Sequence, residues 1–345
     1  MSASIHEVAR RAGVSTATVS RAVRGLPNVS AATRGRVLQA AHELGYVATP
    51  SARVLATGRT HTVAVVAPFL TRWYFGQVVE SAGDILADRG YDVLLYNLSD
   101  PPGRSRFFER MPLHKRVDAC LVMCLSLTSD ETSRLRSLGI PVALVGVAHE
   151  HFAHVRIDDV AGAERAVQHL VNLGHQRIAL IGGDHTGPWP FTPPVDRRTG
   201  YRQVLEQAGL ELDPALEVSG HFTFGGGVHA MAELLARRRP PTAVFAESDE
   251  MALGAIRTAR RTGLRVPEDL SIVGFDDHEM AELMDLTTVS QPVREQGVLA
   301  ATLLLDAMER GDPFPPGTVL PTRLVVRGSS APPPRRRVRP SARTG

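Results

Sequence analysis

Ser15, Thr16, Ala17, Thr18, Ser20 and Arg21 bring short hydroxyls, a methyl group and a guanidinium together in one short stretch of chain. Hydroxyls can bond either kind of base edge, a methyl can meet thymine, and a guanidinium forks onto guanine or a phosphate. That chemistry reads a nucleic-acid duplex, provided one rigid element presents it. Residues 5–25 supply the element. Ile5, Val8, Ala9 and Ala12 recur at helical spacing, and Gly13 breaks the run where the chain must turn. Ser15 is a good N-cap, after which Ala17, Val19, Ala22 and Val23 can face inward while Thr16, Thr18, Ser20 and Arg21 face outward. Such a helix fits a major groove. A third segment, 30–44, has Ser30 as cap, a stripe of Val37, Leu38, Ala41 and Leu44, and Gly45 as stop signal. Residues 1–60 hold eight Arg against Glu7 and Glu43, the footprint of a surface that neutralises phosphates. The bland alternative is a helical hairpin packed on something larger.

Other residue groups suggest a reaction instead. Asp276-Asp277 resembles a carboxylate pair, His149, His151 and His154 a metal cluster, and Gly182-Gly183-x-x-x-Gly187 a phosphate loop. Each falls short. Adjacent residues at a strand end point to opposite sides, the histidines lack an acidic or cysteine partner at ligand spacing, and the glycine run lacks the Lys-Ser/Thr of a phosphate loop. Cys120 and Cys124 lie in an apolar stretch and read as buried thiols. The sequence therefore implies no enzyme, no cofactor and no metal.

The elements behind these residues divide the chain. Its 345 residues, 43% apolar and 22% charged, suit two or three globular domains. Residues 331–345 add five Arg to the basic start, so with a formal net charge of +3 the stretch between carries −8. The ends, not the body, would meet a polyanion. Lys115 is the only lysine, which reflects coding bias as readily as a need for bidentate contacts. The start, Met-Ser-Ala-Ser-Ile-His-Glu, has no charged or apolar leader pattern, and no run approaches a membrane span; a cytoplasmic protein with no membrane partner is expected. Residues 46–60 read as a short linker with Pro50 placed to start a helical turn and Gly58 to end it. Folding against DNA and plain flexibility both remain open there.

From His61 onward, β-branched runs alternate with amphipathic helices: strands at 62–67, 91–96, 118–123, 141–146, 177–181, 242–246 and 270–274, helices near 74–89, 103–110, 129–138, 160–173, 197–209, 226–238, 249–262 and 293–309. This rhythm argues for parallel sheets covered on both faces. The fold class is an all-α helix-turn-helix head plus an α/β core of two lobes. A ligand would sit at the carboxyl ends of the strands, between the lobes, where domain closure is available as a mechanism.

Val8-Ala9-x-x-Ala12-Gly13-Val14-Ser15-x-x-Thr18-Val19-Ser20-Arg21, Thr33-x-x-Arg36-Val37 and Glu43-Leu44-Gly45-Tyr46 together resemble the LacI/galactose-repressor family of transcription regulators. The likeness extends through Ala52-Arg53-x-Leu55, Asp158-Asp159-x-x-Gly162-Ala163, Leu173-Gly174-His175-x-Arg177, Arg197-x-x-Gly200-Tyr201, Ser248-Asp249-x-Met251-Ala252, Val273-Gly274-Phe275-Asp276-Asp277 and Thr287-Thr288-Val289-x-Gln291-Pro292. The resemblance implies a periplasmic-binding-protein-like core that forms a homodimer, binds a small-molecule effector such as a sugar or nucleobase, and controls a repressor's grip on a palindromic double-stranded DNA operator. It implies DNA contacts from Ser15, Thr16, Ala17, Thr18, Ser20 and Arg21 and from a hinge helix with Ala52, Arg53 and Leu55, the leucine acting as a wedge between base pairs. It implies effector contacts from Tyr74, Phe75, Asp158, Arg197, Phe222, Ser248, Asp249 and Asp276. For Phe75 and Phe222 a core role stays open, and for Arg197 and Asp276 a surface role.

Several positions depart from the family pattern: Ala48-Thr49 before the hinge, Arg72-Trp73 for Asn-Pro, Gly146-Val147 for a polar pair, Asp159 for Asn and Ser248 for Asn. The cleft should be less amide-rich and more aromatic than common sugar sites. Trp73, Trp189 and Phe191 also stand out; the loop 187–194 can place one over the cleft or pack as an anchor. The expected domains are a head at 1–47, a hinge and linker at 48–60, a core at 61–328 with lobes of about 61–160 plus 291–328 and 161–290, and a disordered basic tail at 329–345. That tail lacks leucine heptads, which favours a dimer; nonspecific DNA attraction and inert solubilisation both remain open for it. The rivals are an enzyme and a transport-type binding protein on the same core; the second has no use for the head.

Overall fold

A computed structural model describes residues 3–23, 26–46, 58–98, 100–184, 192–310 and 317–334, in two units, 1–60 and 61–345. The hinge residues Ala52, Arg53 and Leu55, the loop residues Trp189 and Phe191, and the tail from 335 on lie outside the described residues.

In the first unit, α1 (Ile5–Ala12) begins with a capping box in which Ser4 N donates to Glu7 Oε2 (2.7 Å) and Glu7 N to Ser4 Oγ (3.4 Å). Gly13, at φ 66, lets Val14 N turn back to Ala9 O (3.0 Å). Then α2 (Thr16–Val23) starts with Thr18 N donating to Ser15 Oγ (3.2 Å), and α3 (Ala31–Glu43) with Thr33 N donating to Ser30 Oγ (3.2 Å). Val8, Val19 and Val37 form the centre, with Ala9, Ala22, Ala40 and Ala41 around them. The expected stripe on α3 is corrected. Leu38 is exposed and Ala40 is buried instead, because the face that carries Val37 continues at i+3 and i+4, and Leu44 is exposed as the C-cap past the last helical residue. Ala17 is likewise exposed rather than inward.

The second unit has two lobes. In the first, β1 (Thr62–Ala67), β2 (Asp92–Asn97), β3 (Ala119–Met123), β4 (Val142–Val145) and β5 (Ala153–Ile157) alternate with α4 (Trp73–Asp88), α5 (Pro101–Arg110) and α6 (Ser129–Ser137). In the second, α7 (Asp159–Asn172), β6 (Ile178–Gly182), α8 (Thr192–Gln207), β7 (Glu217–Ser219), α9 (Phe224–Leu235), β8 (Ala243–Ala246), α10 (Asp249–Arg261), β9 (Ser271–Asp276), α11 (Glu279–Leu283) and β10 (Thr287–Ser290) follow. The chain returns to the first lobe with α12 (Val293–Arg310) and β11 (Thr318–Leu320), then to the second with β12 (Arg323–Val325). The sheet orders are β11-β5-β4-β3-β1-β2, all parallel, and β12-β10-β9-β8-β6-β7, parallel except for β12. Neighbouring strand residues face opposite cores: Val63 and Val65 meet α4 and α12, whereas Ala64 and Val66 meet Phe107 and Phe108 of α5. Burial on both faces is why β1 reads as a continuous apolar run.

Two boundaries differ from expectation. The segment 291–328 does not stay with the first lobe, since β12 pairs with β10, and the chain therefore crosses between lobes three times. The tail does not begin at 329. Ile272 N donates to Ser329 O (2.8 Å), Ala331 N to Ser271 Oγ (3.0 Å), and His175 Nε2 to Ala331 O (2.9 Å), so these residues satisfy groups at the start of β9 that would otherwise be buried without partners. The strands missed in the sequence, β5, β7, β10, β11 and β12, are three to five residues long and lack the continuous apolar run that marks β3, β4, β6 and β8. Helix α8 begins at Thr192 rather than 197 because Pro193 and Pro194 are tolerated in a first turn. Among the described residues, no helix is long and apolar enough to cross a membrane.

Candidate nucleic-acid interface and ligand cavity

On the first unit, Ser15, Ala17 and Arg21 are exposed and Thr16, Thr18 and Ser20 half-buried, all along α2. Ser15 Oγ also bonds Thr18 Oγ1 (2.9 Å), so those two hydroxyls begin the helix as well as facing outward. Arg21 and Arg36 have no carboxylate partner among the described residues, whereas Arg11 pairs with Glu43 (2.9 Å) and Arg10 lies close enough to Glu7 to help hold its carboxyl below the usual value. The result is an exposed helix with small polar groups and unneutralised guanidinium charge, which suits a phosphate backbone and base edges.

Within the second unit, a cavity open to solvent lies at the carboxyl ends of both sheets. Its first wall comes from the first lobe: Tyr74 and Phe75 at the start of α4, Cys124 after β3, Gly146 after β4 and Ile157 at the end of β5. Gly146 has φ 77, and a Cβ there would stand 2.6 Å from Cys124 Sγ and 3.3 Å from Tyr74 Oη, so this wall has room for no side chain at that point. Burial pushes the Cys124 thiol up to about 12 and the Tyr74 phenol well above its usual range, and both stay neutral.

The second wall is charged. Arg197, on α8, donates from Nε to Asp159 Oδ1 (2.8 Å) and from Nη1 to Glu247 O, stands 3.7 Å from Asp276 Oδ1, and lies 3.6 Å over the Phe275 ring. Its Nη2 donates to no described residue. One buried cation thus acts on three buried carboxylates, Asp159, Asp276 and Glu247, and donates a hydrogen bond to only the first of them; Glu247 Oε2 accepts from Gly183 N (2.7 Å) instead. Burial drives Asp276 up to about 7 and Glu247 to about 8, and raises Asp159 as well. The same acids hold Arg197 above its ordinary value against the opposing effect of burial. Phe222 completes this wall. Its ring fills the space where a Cβ on Gly183 would go. Gly183→Ala is therefore expected to push the ring off the wall and cost about 1–3 kcal/mol in thermal unfolding; an unchanged melting curve would show that the ring has somewhere to go.

Of the eight effector residues expected, the cavity brings together Tyr74, Phe75, Arg197, Phe222, Ser248 and Asp276. The other two are corrected. Asp158 is exposed and spends its side chain on capping α7, accepting from Ala161 N (3.0 Å), and its neighbour Asp159 lines the cavity instead. Asp249 is fully buried beneath Gly274, where Oδ1 accepts from Thr288 Oγ1 (2.6 Å) and Oδ2 from His278 N (2.8 Å); it joins strands rather than meeting a ligand. Glu250, one residue on, lines the cavity. Arg72, named above as a departure in the cleft, and Gln291, named only within a motif, also line the cavity, as do Pro193 and Gln296, which the sequence did not single out; Arg72 lies 3.7 Å over Phe69. Trp73, flagged as unusual, packs on His278 of the second lobe (ring centroids 4.8 Å apart).

A helix-turn-helix carrying free positive charge, in one chain with a two-lobed α/β body whose cavity lies at the strand ends, defines a DNA-binding transcription regulator with a small-molecule-binding body. Comparisons narrow that class. Residues 4–49 match the bacterial regulatory proteins of the lacI family, and residues 167–330 a periplasmic binding protein-like domain. The HTH-type transcriptional repressor CytR of Escherichia coli (strain K12) is 37% identical over 332 residues, covering 95% of this chain and 96% of its own. The HTH-type transcriptional regulator CelR of Thermobifida fusca is 39% identical over 338 residues, covering 93% and 96%. Among solved structures, the lac repressor dimer bound to operator and the anti-inducer ONPF has a TM-score of 0.83 at 27% identity, over 96% of this chain and 100% of that one. A CelR-cellobiose complex has a TM-score of 0.70 at 36% identity, over 95% and 100%. The chain belongs to the lacI family of bacterial regulatory proteins.

Proposed function

We propose that this regulator is a repressor that binds a palindromic operator as a homodimer, and that a sugar in the cavity sets its operator affinity. The observation that carries the reading is that Arg197 and Asp276 line the cavity side by side (Nη1 to Oδ1 3.7 Å), each with one further atom, Nη2 and Oδ2, that bonds no described residue, on a wall that also carries Phe222 and opposite Tyr74 and Phe75. A sugar hydroxyl can donate to the carboxylate while its neighbour accepts from the guanidinium, and the apolar ring face lies on the aromatics. The cellobiose bound by CelR and the ribose bound by a LacI family regulator from Enterococcus faecium support a sugar. A thermal-shift screen of the full chain against cellobiose, ribose and other sugars tests it: a ligand that binds only the folded state raises Tm, and a panel with no shift overturns the sugar assignment.

The chain acts by binding rather than catalysis. Asp277 pairs with Arg327 (2.8 Å) while Asp276 joins Gln291, so these carboxylates do not share a substrate. His149 bonds Thr132 Oγ1 (3.1 Å). On the DNA side, Arg21→Ala is expected to weaken operator binding by about 1–3 kcal/mol in a gel-shift titration. Leu55→Ala should weaken the operator far more than random DNA, because a wedge acts only where the duplex is kinked; equal losses would sink the wedge.

A further inference from the structure

The cavity wall contains a line of hydrogen bonds that crosses from one lobe to the other. Tyr74 Oη donates to Gln296 Oε1 (2.9 Å), Gln296 Nε2 to Gln291 Oε1 (2.9 Å), and Gln291 Nε2 to Asp276 Oδ1 (2.6 Å). Tyr74 is on α4 and Gln296 on α12, both of the first lobe; Gln291 lies in the crossover after β10, and Asp276 ends β9 in the second. The direction follows from the chemistry at one end. When Asp276 is ionised it only accepts, so in that state Gln291 must turn its amide nitrogen to Asp276 and its oxygen to Gln296, which fixes Gln296 in turn and makes the phenol the first donor. Gln296 is fully buried and Gln291 nearly so, so each lost bond leaves a buried polar group without a partner.

The residue at the receiving end is strained. Asp276 has φ 121 and Asp277 φ 61, conformations that favour glycine and persist in other residues only where the surroundings impose them. On the far side, Asp276 Oδ2 accepts from no described residue although the side chain lines the cavity.

We propose that Gln291 and Gln296 are positioning residues that hold Asp276 with one oxygen engaged and the other left for a ligand hydroxyl or N–H. They also tie that carboxylate to Tyr74, so that what Asp276 accepts is registered at the first helix of the opposite lobe. This rests on the cavity being the effector site, but its test needs no effector.

The test follows the unfolding stability of the ligand-free full chain against pH, with and without Asp276→Asn, in the native and Gln296→Leu backgrounds. The difference made by Asp276→Asn reports where Asp276 ionises. The charged groups that face it, Arg197 from α8, Asp159 from α7 and Asp249 and Glu250 from α10, are the same in all four proteins. With the line intact, Gln291 supplies a donor that favours the charged carboxylate. Without Gln296 the amide loses its orientation, and the ionisation should move up by about half to one pH unit, roughly a 3- to 10-fold gain in proton affinity. Tyr74→Phe, which removes the first donor and the phenol's bond with the Cys124 thiol, should move it the same way by less, and it serves if Gln296→Leu does not fold. A residue that merely fills space would lower stability without moving the profile, so superimposable profiles overturn the proposal. A failed sugar screen with displaced profiles would instead overturn the effector assignment and leave the positioning role standing.

Discussion

Arg197→Met is expected to lower the Tm of the full chain by about 6–20 °C, the consequence of leaving a buried charge without its partner at a cost of about 3–5 kcal/mol. The size follows from what the guanidinium does. Among the described residues it is the one cation in contact with both Asp159 and Asp276, it donates to the Glu247 carbonyl, and its flat face covers Phe275. Methionine matches the apolar stem and none of the charge. Arg197→Lys should recover less than half of the loss, because a point charge cannot serve Asp159 and the Glu247 carbonyl in the same fork. The double substitution Arg197→Met with Asp159→Asn should recover more, since removing both members of a buried pair removes the unpaired charge as well. A loss below about 2 °C for Arg197→Met, by calorimetry or circular dichroism, would mean that the ion pair opens to water in solution.

The legibility of this site in the sequence tracks the range of the interaction that makes it. Arg197 and Asp276 stand in local motifs, Arg-x-x-Gly-Tyr on a helix and Gly-Phe-Asp-Asp at a strand end, and both reach the cavity. The head was equally legible, because Gly13, Ser15, Ser30 and Gly45 punctuate three helices within a few residues of one another. Errors of one position arose where two adjacent acids begin a helix. At Asp158-Asp159 the first caps and the second lines the cavity; at Asp249-Glu250 the first is sealed beneath Gly274 and the second lines it. Capping fixes which neighbour turns inward, and composition alone does not reveal which residue caps. Gln296 carried no signal, since it meets Tyr74 of α4, 222 residues away, while Gln291 stands in a motif of the resemblance that gave it no role at the cavity. The third crossover was hidden for the same reason: β12 is three residues long and is defined only by its pairing with β10.

The excess of buried acid over buried base sets the pH response. Asp276 rises from 3.8 to about 7 and Glu247 from 4.5 to about 8, both through burial, so between the unfolded and folded values the native state holds protons that the unfolded state has released. Stability from these two groups therefore falls as pH rises through that window and is lowest above it. For Asp276 the fall between pH 5 and pH 8 is on the order of 3 kcal/mol. Surface acids held low by a partner, such as Asp269 at about 2 beside Arg265, act with the opposite sign and at lower pH, so the raw stability of the native chain mixes both. A difference separates them. Asp276→Asn keeps the shape and cannot ionise, so its stability relative to the native chain should climb by about that amount from pH 5 to pH 8 and level off above Asp276's ionisation near 7. Glu247→Gln should show the same climb carried about one pH unit further. A flat difference for both would mean that Asp276 and Glu247 ionise as ordinary carboxylates, with water or a cation reaching the base of the cavity to balance Asp159, Asp276 and Glu247 alongside Arg197.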